Sequence, residues 1–472
     1  MHSRLVVLGG GPGGYAAAFL AADLGMEVTL VDADRRLGGT CLLRGCIPSK
    51  ALLHVARVIG EAGESAEWGV RFERPTIDVD ALRNRKEKVV DTLSGGLKQL
   101  AKQRQVRVIP ARGEFIDSQT LELTPIGDEP LEERRLTFDH CVLATGSSPT
   151  VIPAFNLKTD RVMDSTGALA LAEIPDSLLV VGGGYIGLEM GTVYAALGTR
   201  VTVVELTGGL LPGADRDLVR PLAQRVEKLF AAIHLNTKVT AMTDRGESIE
   251  VTLETSEGKT SQAFSRVLVS VGRKPNTRDI GLENTAVELT EHGFVIVDNR
   301  QRTSDPRILA IGDVAGEPML AHKASHEGKV AVEALHGGPA VFEPMAIPAV
   351  VFTDPEIAWA GLTEDQARQQ KLDVKVIRYP WGASGRAQSL LRTEGLTKLV
   401  VDPETERVLG VGIVGVGAGE LIAEGVLAIE MGATARDLAD SIHPHPTLSE
   451  TVGFAAEAFY GLATEIYRPK RG

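Results

Sequence analysis

The stretch from Arg4 to Asp34, RLVVLGGGPGGYAAAFLAADLGMEVTLVDAD, constrains the fold more than any other. An apolar strand, Leu5 to Leu8, runs into Gly9-x-Gly11-x-x-Gly14, then an alanine-rich helix, then a second strand, Val28 to Val31, ending at Asp32. The three glycines permit a tight turn, close approach of a pyrophosphate to the helix N-terminus, and close packing of helix on strand. Asp32 falls where a carboxylate can bind an adenosine ribose. A glycine triplet alone is weak evidence, whereas strand, triplet, helix and terminal acid together predict a dinucleotide-binding βαβ unit.

The unit returns as SLLVVGGGYIGLEMGTVYAALGTRVTVVEL from Ser177 to Leu206, with Gly182, Gly184, Gly187 and Glu205 in the places of Gly9, Gly11, Gly14 and Asp32. Two dinucleotide sites are implied. A carboxylate at Glu205 favours a free 2′-hydroxyl, and no arginine pair follows in ELTGGLLPG, so the second site is expected to prefer NAD to NADP. A third triplet, Gly410-x-Gly412-x-x-Gly415, follows an expected hairpin (Leu399 to Val401, then Val408 to Val414) and leads to no acid-tipped strand, so it reads as glycine packing.

Two of the three cysteines, Cys41 and Cys46, lie in GGTCLLRGCIPSK, Gly38 to Lys50. In a regular helix such a pair stands roughly 8 Å apart, beyond the Cα separation of about 4.4 to 6.8 Å that a disulfide needs. A bridge therefore predicts an irregular segment between them, which Gly38, Gly39 and Gly45 permit, with a helix from Ser49 to Ala62 and Pro48 in its first turn. Our reading is a redox-active disulfide. Two simply packed cysteines remain the alternative, and zinc lacks a second ligand pair nearby. Cys141, on the expected buried strand of CVLATGSSP, reads as an inert core thiol.

The rest of the chain orders itself around the two units. A helical stretch (80–103) and a β-rich stretch (106–137) precede CVLATGSSP, and VLVSVGRKPN (267–276) closes the second unit in the same manner. ILAIGDVAG is a buried strand ending in Gly312-Asp313, where ligands gather in α/β sheets. From about Pro344 the pattern changes to strands and helices without a nucleotide motif, ending in SIHPHPTLSETVGFAAEAFYG. There Glu450 follows His445 on the first turn of a helix, so that a carboxylate can fix one imidazole tautomer and leave the other nitrogen free for a proton. His443 competes for that role.

Charge and hydropathy exclude several classes of function. A formal net charge of −12 argues against nucleic acid or an anionic membrane as partner. No run approaches the roughly 18 apolar residues of a membrane span. A first strand starting near Leu5 leaves no room for a cleavable leader, so the expected compartment is cytoplasmic, where a disulfide is more often catalytic than structural.

Taken together and in this order, the disulfide segment, both nucleotide units, the Ala144-Thr145-Gly146 turn, Gly312-Asp313, MLAHKASHEG and HPHPTLSE resemble the flavin-dependent pyridine nucleotide-disulfide oxidoreductases over nearly the whole chain. The resemblance implies an α/β fold with two Rossmann-like domains, for FAD and NAD, and a C-terminal α+β dimerisation domain. The expected boundaries are 1–148 and 276–344 for the two parts of the FAD domain, 149–275 for the NAD domain and 345–472 for the interface. It places FAD on the first unit, with Asp32 on the ribose, Asp313 on the ribityl chain, and Gly113 and Ala321 touching it through backbone. NAD falls on the second unit, lined also by Val239 and Gly272. Lys50 would lie near the flavin and pair with Glu189.

Within the family the match is to the branch that oxidises protein-bound dihydrolipoyl groups. His445 is then the base, Cys41 the sulfur attacked and Cys46 the sulfur against the flavin. The resemblance also implies a homodimer in which each subunit lends its histidine to the other's disulfide, and lipoyl domains of 2-oxo acid dehydrogenase complexes or of the glycine cleavage system as partners. Two residues depart from the branch, Pro444 for a usual alanine and Tyr185, which resembles the nicotinamide gate of glutathione reductases. Glutathione reductase lacks support because no arginine cluster follows Glu205. Mercuric reductase would need further C-terminal cysteines, and soluble transhydrogenases lack the cysteine pair. A docked subunit with redundant catalysis is the alternative from another class, against which the intact Cys41, Cys46, His445 and Glu450 argue.

Overall fold

In the computed structural model, which describes residues 1–127, 130–131 and 133–467, the strands sort into sheets according to the two repeats. The strand His2–Leu8 lies between Val28–Asp32 and Arg135–Leu143, parallel to both. Arg107–Asp117 extends the sheet beyond Val28–Asp32, and Ile308–Ala310 adds the far edge against Arg135–Leu143. The latter half of Arg107–Asp117 turns away to pair antiparallel with Thr120–Pro125. The first sheet is thus completed by a strand that comes after the whole second unit.

Strands such as Val28–Asp32, buried along their length, need cover on both faces. The helix Pro12–Asp23 supplies one cover, its Ala17, Ala18 and Ala21 buried, and the helix Ala321–Leu335 packs across it. The two helices meet at glycine: a Cβ on Gly328 would stand 2.6 Å from the Gly13 carbonyl oxygen.

The second unit forms a five-stranded sheet from Val162–Met163, Ser177–Val181, Arg200–Val204, Ala232–His234 and Arg266–Val269, every pair parallel. Three antiparallel strands, Lys238–Asp244, Ile249–Thr255 and Gly258–Phe264, pack beside it. The C-terminal part is a five-stranded antiparallel sheet, from Ala349–Val351 at one edge to Lys375–Pro380 at the other. Its helices Ala418–Glu430 and Glu450–Tyr460 pack on that sheet.

The third glycine triplet lies inside a strand, Val408–Gly415, rather than at a strand-to-helix turn. A Cβ on Gly410 would come 2.0 Å from the Leu362 carbonyl oxygen, and one on Gly415 would strike the Trp381 ring. These glycines serve packing.

The cysteine segment corrects the expectation of irregular chain. Gly39–Arg44 is helical and so is Cys46–Glu64, three residues longer at its start than the expected helix. The whole departure is concentrated in Gly45, at φ −145° and ψ −114°. A Cβ there would stand 2.8 Å from the Thr40 carbonyl oxygen and 3.2 Å from Cys41 Cα. A single glycine break thus folds the second helix back onto the first, which brings two cysteines together without an extended loop.

Candidate active site

A cavity of about 310 Å³ opens at the C-terminal ends of the first sheet's strands. Its walls include the Gly9 to Gly14 turn, Asp32, Cys41 and Cys46, Tyr185 and Glu189, and Asp313 with Ala321. Residues from both nucleotide units therefore face one space, with the sulfurs between them in the wall.

The floor is built for a dinucleotide. Gly9 holds φ +113°, and a Cβ on Gly14 would fall 1.8 Å from the Gly9 carbonyl oxygen, so turn and helix pack as only glycine allows. Asp32, at the end of its strand, accepts from the Asp34 backbone N–H through Oδ1, while its buried Oδ2 has no partner. An orphaned buried carboxylate oxygen beside a glycine turn is the acceptor that a ribose hydroxyl would satisfy. Burial raises the Asp32 carboxyl to about 6, against the lowering effect of the Asp34 N–H. At the opposite wall Ser147 Oγ donates to Asp313, and Arg273 Nε donates to Ser147 Oγ at 2.7 Å. Beneath Asp313 the buried pair Lys323–Glu327, 2.7 Å apart, clamps the turn, with the Gly312 N–H donating to Glu327 at 2.7 Å.

Cys41 and Cys46 are free thiols, near enough for each to shift the other's titration. The neighbouring Cys41 thiol, aided by the Lys50 ammonium, lowers Cys46 to about 7 against the opposing effect of desolvation. The same contact, with burial, pushes Cys41 far up. Of the two sulfurs, Cys46 is the one favoured as thiolate. Cys141 is fully buried among sheet residues, and burial alone pushes its thiol up.

Lys50, one turn beyond Cys46, donates to both oxygens of Glu189 at 3.1 and 2.9 Å. Glu189 is buried on the helix Tyr185–Ala196, so the pair ties the cysteine helix to the second unit. Glu189 also accepts from the Phe352 backbone N–H at 2.9 Å, and the Phe352 ring lies 4.5 Å from Lys50 Nζ.

The second nucleotide turn repeats the first in geometry, since a Cβ on Gly187 would stand 2.3 Å from the Gly182 carbonyl oxygen. Gly184 provides the helix N-cap. Glu205 is held more firmly than Asp32: Oε1 accepts from Thr207 N–H and hydroxyl, both at 2.8 Å, and Oε2 accepts from Gly183 N–H at 2.7 Å. Oε2 keeps acceptor capacity for one further hydroxyl. Val239 is buried in the apolar layer beside the second sheet, Gly272 takes φ +114° where its carbonyl accepts from Thr150 N–H, and Gly113 packs against Leu8 within the first sheet. None of these three lines the cavity.

His445 and Glu450 meet at 2.9 Å through Nδ1, and Glu450 also accepts from the Thr447 N–H at 2.8 Å. The His445 side chain is 77% exposed, and it is absent from the cavity that holds the cysteines. His443 differs: its Nε2 faces Glu424 at 2.7 Å and its Nδ1 the Ser441 carbonyl at 2.9 Å. Among the described residues one acid cluster has a metal-like arrangement, Asp215, Asp217 and Glu364. Lys398 Nζ fills it, 2.5, 2.7 and 3.6 Å from the three carboxylates.

Sequence reasoning passed over Phe352, Arg44 and the Lys323–Glu327 pair. Arg44, between the cysteines, forms a two-pronged bond with Asp34 at 2.9 and 2.6 Å and so ties the cysteine segment to the strand end that carries Asp32. Only Lys323–Glu327 had a local signal, an i,i+4 lysine and glutamate on a helix.

Residues 3–328 match the family described as pyridine nucleotide-disulphide oxidoreductase, and 347–456 match the dimerisation domain of the same family. The chain belongs to the pyridine nucleotide-disulphide oxidoreductases. Its cofactors are FAD and NAD, and the orphaned Asp32 oxygen and the two glycine turns fit them. Among curated relatives, the dihydrolipoyl dehydrogenase of Haemophilus influenzae is 47% identical over 100% of this chain and 98% of its own. That of Vibrio cholerae is 46% identical with the same coverage. Among solved structures, LpdA of Mycobacterium tuberculosis superimposes with a TM-score of 0.89 at 28% identity, covering 97% of this chain and 99% of that one. The HOCl-induced flavoprotein disulfide reductase RclA of Escherichia coli gives 0.84 at 29%, covering 95% and 98%. Among the described residues no helix is long and apolar enough to cross a membrane.

Proposed function

We propose that the chain is a dihydrolipoyl dehydrogenase, oxidising protein-bound dihydrolipoyl groups to the disulfide with NAD as final acceptor. The observation that carries this reading is the single cavity lined together by Asp32, the cysteine pair and Tyr185 with Glu189. The full-length relatives of that name support the choice of substrate.

In the reaction His445 Nε2 takes a proton from one dihydrolipoyl thiol, while Glu450 holds the other nitrogen and stabilises the imidazolium. The substrate thiolate attacks Cys41 Sγ of the oxidised pair, the Cys41–Cys46 bond breaks, and Cys46 leaves as thiolate. The second substrate thiol then attacks the substrate sulfur of the mixed disulfide, its proton passing to the displaced Cys41 sulfur; the cyclic disulfide departs, and the first proton stays on His445. Both electrons now reside in the enzyme dithiol. Lys50 holds the charge on Cys46, and Glu189 fixes Lys50. Bound FAD supplies the two-electron relay from this dithiol to hydride on NAD. Tyr185 stands in the wall beside Glu189, on the second unit's side of the cavity.

The working unit in this reading is a homodimer that shares its sites, because His445 is exposed and away from the cysteines of its own chain. The segments 1–148, 149–275, 276–344 and 345–472 serve as FAD, NAD, central and interface parts. The lipoyl carriers would be those of 2-oxo acid dehydrogenase complexes or of glycine cleavage, met in the cytoplasm. Differential alkylation tests the chemistry. Treatment of the native protein with dihydrolipoamide should make Cys41 and Cys46 alkylatable, and lipoamide with NADH-free buffer should close them again, while Cys141 stays unlabelled until unfolding. Labelling of the pair that is indifferent to dihydrolipoamide would contradict the reading.

A further inference from the structure

We propose that Phe352 is a positioning residue for the redox pair: its ring and its backbone N–H together hold the Lys50–Glu189 ion pair so that the ammonium faces the Cys46 sulfur. The inference rests on the redox role assigned above to Cys46. Phe352 follows the edge strand Ala349–Val351 and therefore belongs to the C-terminal part of the chain, far in sequence from both members of the pair.

Two contacts make the case. The Phe352 N–H donates to Glu189 Oε1 at 2.9 Å, the same oxygen that Lys50 reaches at 3.1 Å. The ring face lies 4.5 Å from Lys50 Nζ, within the range of a cation–π attraction. Lys50 needs such restraint. Its side chain is 31% exposed, and it also lines a second cavity, of about 690 Å³, shared with His54, Arg57, Glu356 and Phe352 itself. A lysine has a flexible four-carbon stem and a strongly hydrated head, so a wet cavity on one side offers it a competing place. The ring contact and the two bonds to Glu189 hold the ammonium against that competition.

The charged neighbours of Cys46 leave the thiolate dependent on this lysine. Lys50 is the cation among them, whereas Glu189 opposes the thiolate, as do the tyrosines Tyr15 and Tyr185 on adjoining elements if ionised. In the second cavity the ammonium meets His54, Arg57, Arg225 and Lys228 as like or potential like charges, and four carboxylates: Glu356 is engaged by Arg57 at 3.7 Å, Glu64 and Asp354 are engaged by Arg225, and Glu420 is the competing partner left. A Lys50 that turns away from Cys46 removes the ammonium that favours its charged form.

The test uses the flavin-bound enzyme reduced by two electrons, in which a Cys46 thiolate against the flavin gives long-wavelength absorbance. Its midpoint pH is read in the unmodified protein, Phe352→Leu, Phe352→Tyr and Lys50→Met. Phe352→Leu keeps the backbone N–H and should raise the midpoint by about half a unit, roughly threefold in proton affinity, the size of a partly exposed cation–π contact. Phe352→Tyr should restore the original midpoint. In the Lys50→Met background, where the midpoint is already raised, Phe352→Leu should add nothing. If Phe352→Leu fails to retain flavin, Phe352→Met provides the same comparison. An unmoved midpoint in the ring-less variant, or a further shift on top of Lys50→Met, would overturn the role of Phe352. A Cys46→Ser control separates the two levels, because absorbance that survives it overturns the assignment of Cys46 instead.

Discussion

Glu450 holds His445 by its Nδ1 at 2.9 Å and leaves Nε2 facing outward, whereas two residues earlier both nitrogens of His443 are already engaged. The two histidines of one short motif thus have different chemistry open to them. His445→Gln should lower turnover by about 10² to 10⁴, the usual range for loss of a general base. His443→Gln should leave turnover within a few-fold. Steady-state rates of NADH formation decide between them, and the reverse ranking would return the role to His443.

Exposure of His445 in a single chain predicts shared sites. A Cys41→Ser subunit and a His445→Gln subunit, unfolded and reassembled together, should give mixed dimers with one doubly defective site and one intact site. Activity should reappear from two inactive parents. No recovery, with mixed dimers shown to be present by mass, would place each site within one chain.

Glu205 sets nucleotide choice through a carboxylate fixed by Gly183 and Thr207. A 2′-phosphate brought to it meets like charge, and the segment that follows, ELTGGLLPG, holds no arginine to offset it. NADPH should therefore be a poor donor in the reverse direction. Glu205→Ala combined with a new arginine at Leu206 should narrow the gap by an order of magnitude or more, and equal use of both nucleotides by the unmodified enzyme would contradict the argument.

Asp32 makes flavin retention depend on pH. Its carboxyl is raised from 3.8 to about 6 by burial, so below that pH it is neutral in the folded chain. A ribose hydroxyl donates best to the charged form, hence the affinity for FAD should fall as pH drops through about 6. Stability without flavin runs the other way. The folded state binds the proton more tightly than the unfolded one, so this group's contribution is greatest below about pH 4 and is lost as pH rises to about 6. Flavin release followed by fluorescence should show the acid-side loss in the unmodified protein, and Asp32→Asn should bind weakly with that dependence flattened.

What was legible in the sequence was whatever recurs locally. The two glycine turns and their acids could be read because strand, turn and helix are contiguous. His445 with Glu450 was read from a carboxylate on the first turn of a helix, Lys50 with Glu189 was named through the family resemblance, and both pairs stand within hydrogen-bond reach. The helix across Cys41 was misjudged because average helix geometry forbids a bridge there, and one glycine break at Gly45 removes that constraint. Phe352 and Arg44 gave no signal. Their partners, Lys50 and Asp34, are brought to them by tertiary packing, and nothing in the spacing marks such a contact in advance. Gly113 and Val239, placed on the cofactors by resemblance alone, lie on the strands Arg107–Asp117 and Lys238–Asp244.

In the proposed reaction electrons pass from a dihydrolipoyl dithiol through Cys46 to NAD. One purified preparation, assayed for NAD reduction by dihydrolipoamide and for NADH and NADPH oxidation by glutathione disulfide, tests it most directly. The account predicts rapid NADH formation from dihydrolipoamide, lost in Cys46→Ser, with little oxidation of either nucleotide by glutathione disulfide. Faster consumption of NADPH by glutathione disulfide than production of NADH from dihydrolipoamide would contradict it.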